Sequence, residues 1–366
     1  MIRQLTSLRF FAAAAVVFAH FGYVFHTGGI GVAFFFMLSG FVLSLNYGNT
    51  FLSFSVKDFS ILYLMRLARI YPLHIVTMLM SLPLWIMRGQ IPSFGDTVSN
   101  LTLTQSWHPI GERIFGFNGV AWTLSVEWFF YLMLPMIIFL MHKTKLSSTK
   151  IGCISVAFFA FSVTYGIHRI LGQGAIQAYT DLWWLLNISP ILHVCTFIIG
   201  VALGQSFVLS GRSFARSPLL STMSEVLSLS ALAVTYAIYL RYAIYYAGGF
   251  ELCFLPSFAL LIITFSRSNG FISRALSIPI FVRLGEISFS IYMIHQIIIF
   301  YFNEHAIMLM GFSANPFAQL AVAFLTLGVA EIAFRFVEDP SRRFVRRLIQ
   351  DRRENSGHCA IGTRST

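Results

Sequence analysis

The chain has 366 residues, of which 57% are hydrophobic and only 11% are charged, and its mean hydropathy is +0.75. Because a soluble domain is typically about 25% charged, this composition excludes an ordinary soluble protein. The formal net charge is +11, but the basic residues fall mostly in short connections between apolar stretches, which is typical of membrane topology and not of a nucleic-acid partner. The four scattered cysteines have neither metal-ligand spacing nor a disulfide pattern. The composition therefore predicts a multi-pass membrane protein without a metal.

Apolar stretches long enough to cross a bilayer recur along the chain, since a spanning helix needs about 20 mostly apolar residues. They predict an all-α polytopic membrane protein, a single bundle of about ten transmembrane helices. Segments 172–187 and 241–251 are amphipathic or mixed, which leaves an eleventh, partial span open. The predicted spans are 5–26, 29–47, 70–87, 120–141, 151–171, 188–208, 222–240, 244–265, 287–303 and 316–337.

Basic residues in the connections predict how the bundle is oriented. With a cytoplasmic N-terminus, the inner connections and the C-terminal tail are rich in Lys and Arg while the outer ones are sparse, as the positive-inside rule requires. We therefore expect both termini in the cytoplasm and the protein in the inner (cytoplasmic) cell membrane. Residues 1–344 are assigned to a transmembrane domain. Residues 345–366 are assigned to a basic cytoplasmic tail, partly disordered because apolar periodicity is absent from about Asp351.

The first predicted span contains two ionisable residues, Arg9 and His20. Such groups inside a membrane span are costly and often mark a functional site. At about 100° and 1.5 Å per residue, His20 returns to within roughly 20° of the face of Arg9, about 16 Å further along the helix. Each residue also has a purely structural interpretation. Arg9 could extend its side chain to the lipid headgroups, and His20 could be a hydrogen-bonded residue between packed helices. Their shared face favours a polar path through the protein.

Arg66 and Arg69 lie just before the third predicted span, three residues apart and therefore neighbours on one helical face. Clustered guanidinium groups suit bidentate phosphate binding. The ordinary alternative is a topology anchor that contacts lipid headgroups. Because Arg9 belongs to the same cytoplasmic half, we expect the three arginines to converge on one anionic ligand.

The fourth span opens with AWTLSVEWFFY at 121–131 and places Glu127 about 10 Å inside the outer boundary. His20 is predicted at a similar depth. A carboxylate beside an imidazole fixes its tautomer and stabilises the imidazolium, as a general base requires. The alternative is a buried pair that only holds two helices together. We expect Glu127 to orient His20.

Further polar residues lie within the predicted spans. Ser39 and Gly40 predict close helix packing, and Glu331 with Arg335, four residues apart, predicts a salt bridge. His295 is interpreted as a structural or substrate-positioning residue from the cytoplasmic half. Zinc-ligand spacing, a Walker loop, a GxSxG elbow and a dinucleotide fingerprint are all absent from the sequence.

These residues resemble the acyltransferase 3 family of integral membrane O-acyltransferases over nearly the whole chain, from about Leu5 to Phe344. Each motif is short, but together and in this order they are specific. The motifs are Arg9 and His20 separated by ten residues, GVAFFFMLSGF at 31–41, RLAR at 66–69, WTLSVE at 122–127, LGEISFSIYMIH at 284–295 and VEDP at 337–340.

The resemblance implies transfer of an acyl group, usually acetyl from cytoplasmic acetyl-CoA, to a hydroxyl of an extracytoplasmic glycan or lipid-linked saccharide. It also implies that Arg9 and His20 are essential and that Arg66 and Arg69 are associated with CoA. Exopolysaccharide or lipopolysaccharide is the expected acceptor, with a polysaccharide synthesis complex as an expected partner. Ala33 departs from the family, in which many members carry an acidic residue, and this indicates a different acceptor pocket.

We accordingly expect CoA phosphates at Arg66, Arg69 and Arg9, and His20 as the base that deprotonates the acceptor. Trp122, Ser125 and His295 are expected to contact the substrate. Direct transfer and an acyl-histidine intermediate both remain open. One alternative function is a secondary transporter or flippase that uses the same polar path; another is a non-catalytic partner of a polysaccharide synthase.

Overall fold

A computed structural model of the protein describes residues 2–21, 27–52, 55–172, 180–211, 217–242, 250–306 and 316–362. Every regular element within these ranges is helical, as the sequence predicts. The α-helices are α1 (Arg3–His20), α2 (Thr27–Tyr47), α3 (Val56–Met87), α4 (Phe94–Leu101), α5 (Gly111–Phe115), α6 (Trp122–Lys143), α7 (Lys150–Leu171), α8 (Asp181–Asn187), α9 (Pro190–Leu209), α10 (Pro218–Tyr242), α11 (Leu255–Arg267), α12 (Phe271–Leu276), α13 (Pro279–Glu286), α14 (Ser288–Ala306), α15 (Pro316–Ala333) and α16 (Asp339–Gly362). Short 3₁₀ turns cover Gln105–Trp107, Gly119–Ala121, Leu146–Ser148 and Phe250–Phe254, and a π-helical turn covers Phe334–Glu338.

In the described part of the chain, seven helical segments are long and apolar enough to cross a membrane. An eighth results if α13 and α14, which are bent by 60° relative to each other, form one broken span. These segments make the protein a multi-pass membrane protein. The seven are Gly28–Tyr47, Val56–Met87, Gly119–Lys143, Lys150–Leu171, Asp181–Leu209, Pro218–Tyr242 and Pro316–Asp351.

Two of the ten predicted spans, 5–26 and 244–265, correspond to helices outside both the seven segments and the bent pair, which contains predicted span 287–303. Helix α11 has 13 residues, about 20 Å at 1.5 Å per residue, which is short against a hydrocarbon core of about 30 Å. Helix α1 carries Arg3 and Arg9 among its 18 residues, and these two charges lower its mean hydropathy. Both predicted spans also extend beyond the described residues, so the count of ten and the cytoplasmic location of both termini stay predictions.

Helix α2 lies at the centre of the bundle, where it packs along α9 and also contacts α1. The α2–α9 contact brings backbones together: a Cβ on Gly40 would collide with the carbonyl oxygen of Phe197, and one on Gly200 with that of Met37. Small residues allow such close approach between membrane helices. The close packing predicted at Ser39 and Gly40 is therefore present, with its partner surface on α9.

Helix α3 is longer than the predicted span, 32 residues from Val56 to Met87. Ser55, the residue before α3, is its N-cap: its hydroxyl accepts a hydrogen bond from the backbone N–H of Asp58 at 3.3 Å. Arg66 and Arg69 consequently lie inside this helix and not ahead of it. Their shared face points into the bundle, because both line the same pocket.

The chain leaves α15 through the π-helical turn and continues into α16, which packs against α3. A π-helical turn is rare and often marks a functional site. Helix α16 runs to Gly362. Most of the 345–366 segment, for which the sequence predicts partial disorder, is therefore helical in the structure. The last four residues lie outside the described residues.

Candidate active site

A pocket opens between α1, α2, α3, α6 and α14, with about 770 Å³ of empty space when the open region at its mouth is included. One wall is apolar, formed mainly by aliphatic and aromatic residues of α2. The lining also contains the three arginines that the sequence singles out, Arg9, Arg66 and Arg69. The structure thus brings them together from two helices that are far apart in sequence. The remaining polar lining residues are Ser39, Thr123, Glu127 and Tyr292.

The three arginines have no hydrogen-bonded or ion-paired partner among the residues that the structure describes. Arg66 lies over two aromatic rings, its Cζ 6.0 Å from the ring centre of Tyr47 and 5.8 Å from that of Tyr131, and its buried Nε has no hydrogen-bond partner. Buried guanidinium groups are normally paired. A pocket lined by three half-buried guanidinium groups that make no salt bridge within the described residues, against a single carboxylate, is therefore suited to a multiply charged anion.

Glu127 lies in the same pocket, on α6. Its Oε1 accepts a hydrogen bond from the hydroxyl of Ser39 at 3.3 Å, and its negative charge attracts Arg9. The pair that the sequence analysis expects, Glu127 against His20, is not among the contacts of the described residues. Glu127 instead places a carboxylate within the arginine pocket, where it lowers the net positive charge.

His20 lies at the C-terminal end of α1 and contacts His295 of α14. Nε2 of His295 is 3.3 Å from Nδ1 of His20, and the ring centres are 4.9 Å apart in an edge-on arrangement. His20 is exposed, whereas His295 is 0% exposed. His20 does not line the arginine pocket, but Tyr292, one helical turn before His295, does. The histidine pair and the pocket therefore share the wall formed by α14.

The two other expected substrate residues lie away from the pocket lining. Ser125 is 0% exposed and its hydroxyl accepts the backbone N–H of Ser106 at 3.3 Å. Trp122 packs edge-on against Phe36, with ring centres 6.4 Å apart, and beside His193, 5.7 Å away. Both positions are interior packing sites next to the α6 N-terminus. The pocket instead takes Thr123 and Glu127 from this motif. Ala33, where the family often has an acid, is also buried, at 4% exposure.

The sequence analysis missed Glu338, the last residue of the π-helical turn. Its side chain is 1% exposed; Oε2 accepts the hydroxyl of Ser290 at 2.9 Å, and Oε1 lies 3.5 Å from Arg342. Its charge also acts on Arg9. The available signal was an acidic residue at the end of the last apolar stretch, within the closing VEDP motif at 337–340.

The salt bridge predicted between Glu331 and Arg335 is present at 2.5 Å. Glu331 also pairs with Arg283 at 2.6 Å, which ties α15 to α13. Within the described ranges, no group of three His, Cys, Asp or Glu side chains is arranged to hold a metal ion. The chemistry that these residues can support is accordingly anion binding and proton transfer.

Comparison with known proteins adds the class of reaction. A family model described as an acyltransferase domain matches residues 2–335. The chain is 27% identical to acyltransferase MdmB of Streptomyces mycarofaciens, across 94% of this chain and 92% of that protein. It is 24% identical to O-acetyltransferase OatA of Staphylococcus aureus strain NCTC 8325 / PS 47, across 93% of this chain but only 57% of OatA. No solved structure matches the chain. The chain therefore belongs to the acyltransferase 3 family of membrane O-acyltransferases.

Proposed function

We propose that this protein moves an acyl group, in the simplest case acetyl, from cytoplasmic acyl-CoA to a hydroxyl of an extracytoplasmic or surface glycan. The observation that carries the donor assignment is the pocket with three unpaired arginines. CoA bears several phosphates, and guanidinium groups bind phosphate through paired, charge-assisted hydrogen bonds. Arg9, Arg66 and Arg69 would hold the donor from the cytoplasmic side.

His20 is the proposed general base. As the acceptor oxygen attacks the thioester carbonyl, its proton passes to the imidazole; the carbon–sulfur bond breaks, and the CoA thiolate takes that proton back from the imidazolium, which restores the neutral base. An imidazole at the far end of α1 from Arg9, about 16 Å along the axis, suits a donor whose phosphates and reactive thioester are far apart. The relatives' printed names, an acyltransferase and an O-acetyltransferase, support the transferred group.

The acceptor is proposed to be a glycan or lipid-linked saccharide, with exopolysaccharide or lipopolysaccharide as the first candidates and a polysaccharide synthesis complex as the partner. The site that presents the acceptor hydroxyl must be reachable from outside, and His20 is the exposed member of the histidine pair. Mass analysis of surface glycans from cells with and without the protein identifies the acceptor, because each acetyl group adds a fixed mass.

The deciding experiment uses the purified protein in liposomes, supplied with acetyl-CoA and a glycan acceptor. We expect acceptor-dependent release of free CoA, abolished by His20→Ala at normal expression. Loss of about 10²–10⁴-fold is the usual effect of removing a general base. Unchanged transfer by His20→Ala would remove His20 from the mechanism. Solute flux without thioester consumption would instead support the transporter alternative.

A further inference from the structure

The two ring nitrogens of His295 have different surroundings, and this fixes where its proton lies. Nδ1 is 2.7 Å from the carbonyl oxygen of Tyr292 and 3.3 Å from that of Ile291. A carbonyl oxygen only accepts hydrogen bonds, so Nδ1 must carry the hydrogen. In the neutral ring the other nitrogen, Nε2, then has a free lone pair. His295 therefore presents an acceptor toward whatever faces its Nε2.

The group that faces Nε2 of His295 is Nδ1 of His20, 3.3 Å away. The same Nδ1 lies 2.9 Å from the carbonyl oxygen of Val16, so it too must carry a hydrogen. That hydrogen is shared between the Val16 carbonyl and the lone pair of His295. In neutral His20 the lone pair is consequently left on Nε2, the nitrogen on the far side of the ring.

His295 is fully buried on a helix that is hydrogen-bonded to its neighbours, whereas His20 is exposed. Its helix α14 is fixed to the segment before α6 by three contacts: Asn118 donates to the carbonyl of Met293 at 2.8 Å, the Val120 N–H donates to Gln296 at 2.9 Å, and the Tyr292 hydroxyl donates to the carbonyl of Val120 at 3.1 Å. Gly119 adds to this fit, because a Cβ there would collide with the Gln296 side chain. The buried ring is therefore a fixed reference for the exposed one.

We propose that His295 is a positioning residue that holds His20 in the tautomer with a bare Nε2, so that Nε2 of His20 takes the proton of the acceptor hydroxyl. This inference rests on the proposed acyl transfer. It gives a neutral imidazole the role that a carboxylate has in a Ser-His-Asp triad. When Nε2 of His20 accepts the proton, the resulting imidazolium still donates its Nδ1–H to Nε2 of His295. His295 stays neutral, because a hydrogen on its Nε2 would point at the hydrogen on Nδ1 of His20.

The test compares two replacements of His295 in the full-length protein. His295→Leu removes the acceptor, so we expect kcat to fall about 10²-fold or more, the range of a misoriented general base, while the donor KM changes less than about twofold. His295→Gln can place an amide oxygen near the position of Nε2, and we expect it to keep kcat within about tenfold of the unsubstituted protein. Full kcat in His295→Leu, or equal losses in the two variants, overturns the proposal.

A matched control is His74→Gln, the same replacement at another buried histidine, whose Nε2 is 2.9 Å from the carbonyl of Asn100 and which lies outside the pocket lining. We expect unchanged kcat. A second measurement does not depend on the variants: ¹⁵N chemical shifts of His20 in the unsubstituted protein should show hydrogen on Nδ1 and none on Nε2 at neutral charge. The opposite tautomer overturns the proposal even if every His295 variant fails to fold.

Failure of this inference differs from failure of the proposed function. If His20→Ala still transfers the acyl group, the base assignment itself is wrong. If His20→Ala is inactive while His295→Leu has full kcat, His20 remains the base and only the role of His295 is lost.

Discussion

At the scale of single residues, the convergence of three arginines is the strongest link between sequence and site. Arg66 and Arg69 were recognisable as neighbours because three residues separate them, which puts two side chains on one face of any α-helix. Arg9 was recognisable because a charge in a membrane span is costly. That all three line one pocket follows from how α1 and α3 pack, which neither local pattern contains.

Removing two of the arginines should weaken donor binding in particular. We expect Arg66→Ala combined with Arg69→Ala to raise the apparent KM for acyl-CoA about a hundredfold or more, since each arginine supplies at least one hydrogen bond to a charged group, which contributes about 1.5–3 kcal/mol, and 1.4 kcal/mol is tenfold in affinity. The measurement is initial rate against acyl-CoA concentration in liposomes.

The matched control for this double change is Arg335→Ala with Arg343→Ala, which removes the same charge from two exposed arginines, 66% and 67% exposed. Their partners, Glu331 and Asp339, lie outside the pocket lining. We expect its donor KM to stay within about twofold, as is usual for exposed ion pairs. An equal rise of KM in both double variants would mean a general charge effect and not a phosphate site.

The partner of His20 illustrates what sequence could not provide. Equal depth in the membrane made Glu127 the expected neighbour, but depth along a helix says nothing about which helices adjoin. Helix α14 packs directly on α1, so the imidazole of His295 reaches His20, while Glu127 contacts Ser39. The sequence named both histidines as candidates, but only the fold shows that they contact each other.

At the scale of elements, most long helices could be predicted from the sequence, because a helix that crosses a membrane needs a long stretch of apolar residues. The prediction failed where charge interrupts an otherwise continuous helix. Helix α3 begins at Val56 and not near 70, because Lys57, Asp58 and the two arginines lower the hydropathy of its first half without ending the helix. The bend between α13 and α14 was also not predicted, because a continuous apolar stretch does not indicate a change in the direction of the helix axis.

The π-helical turn between α15 and α16 yields a prediction, because it ends at buried Glu338. We expect Glu338→Leu to destabilise the protein, because the buried Ser290 hydroxyl loses its acceptor, which costs about 1–3 kcal/mol, and because Arg342, 33% exposed, loses its carboxylate partner. Glu338→Gln should be less severe, because its amide oxygen can still accept from Ser290. The measurement is the thermal unfolding midpoint in detergent.

Glu331→Gln is the control for this series. Glu331 lies about two helical turns earlier, and its side chain is 26% exposed, against 1% for Glu338; ion pairs that stay in contact with solvent contribute less than buried ones. We expect the midpoint to fall in the order Glu338→Leu, Glu338→Gln, Glu331→Gln, with the last close to the unsubstituted protein. Equal midpoints for Glu331→Gln and Glu338→Leu would show that the buried carboxylate has no special place in the turn.

At the scale of the whole molecule, the proposed reaction requires two compartments to meet inside one bundle. The proposed donor is cytoplasmic and the proposed acceptor lies outside, so Arg9 in the first half of α1 and His20 at its end must lie toward opposite sides of the membrane. The positive-inside bias of the connections predicts this direction, and it also predicts that both chain termini lie in the cytoplasm. Orientation is therefore the property of the whole protein on which the mechanism depends most.

Epitope tags at each terminus test the orientation in sealed vesicles treated with protease. We expect both tags to be protected in right-side-out vesicles and digested in inverted ones. A third tag inserted after Gly89, in the exposed turn between α3 and α4, should behave in the opposite way and serves as the control. Acetyl-CoA should support transfer only from the side on which the termini are digested. A terminal tag digested from outside, or activity with donor on the other face, would reverse α1 and separate the arginine pocket from its cytoplasmic substrate.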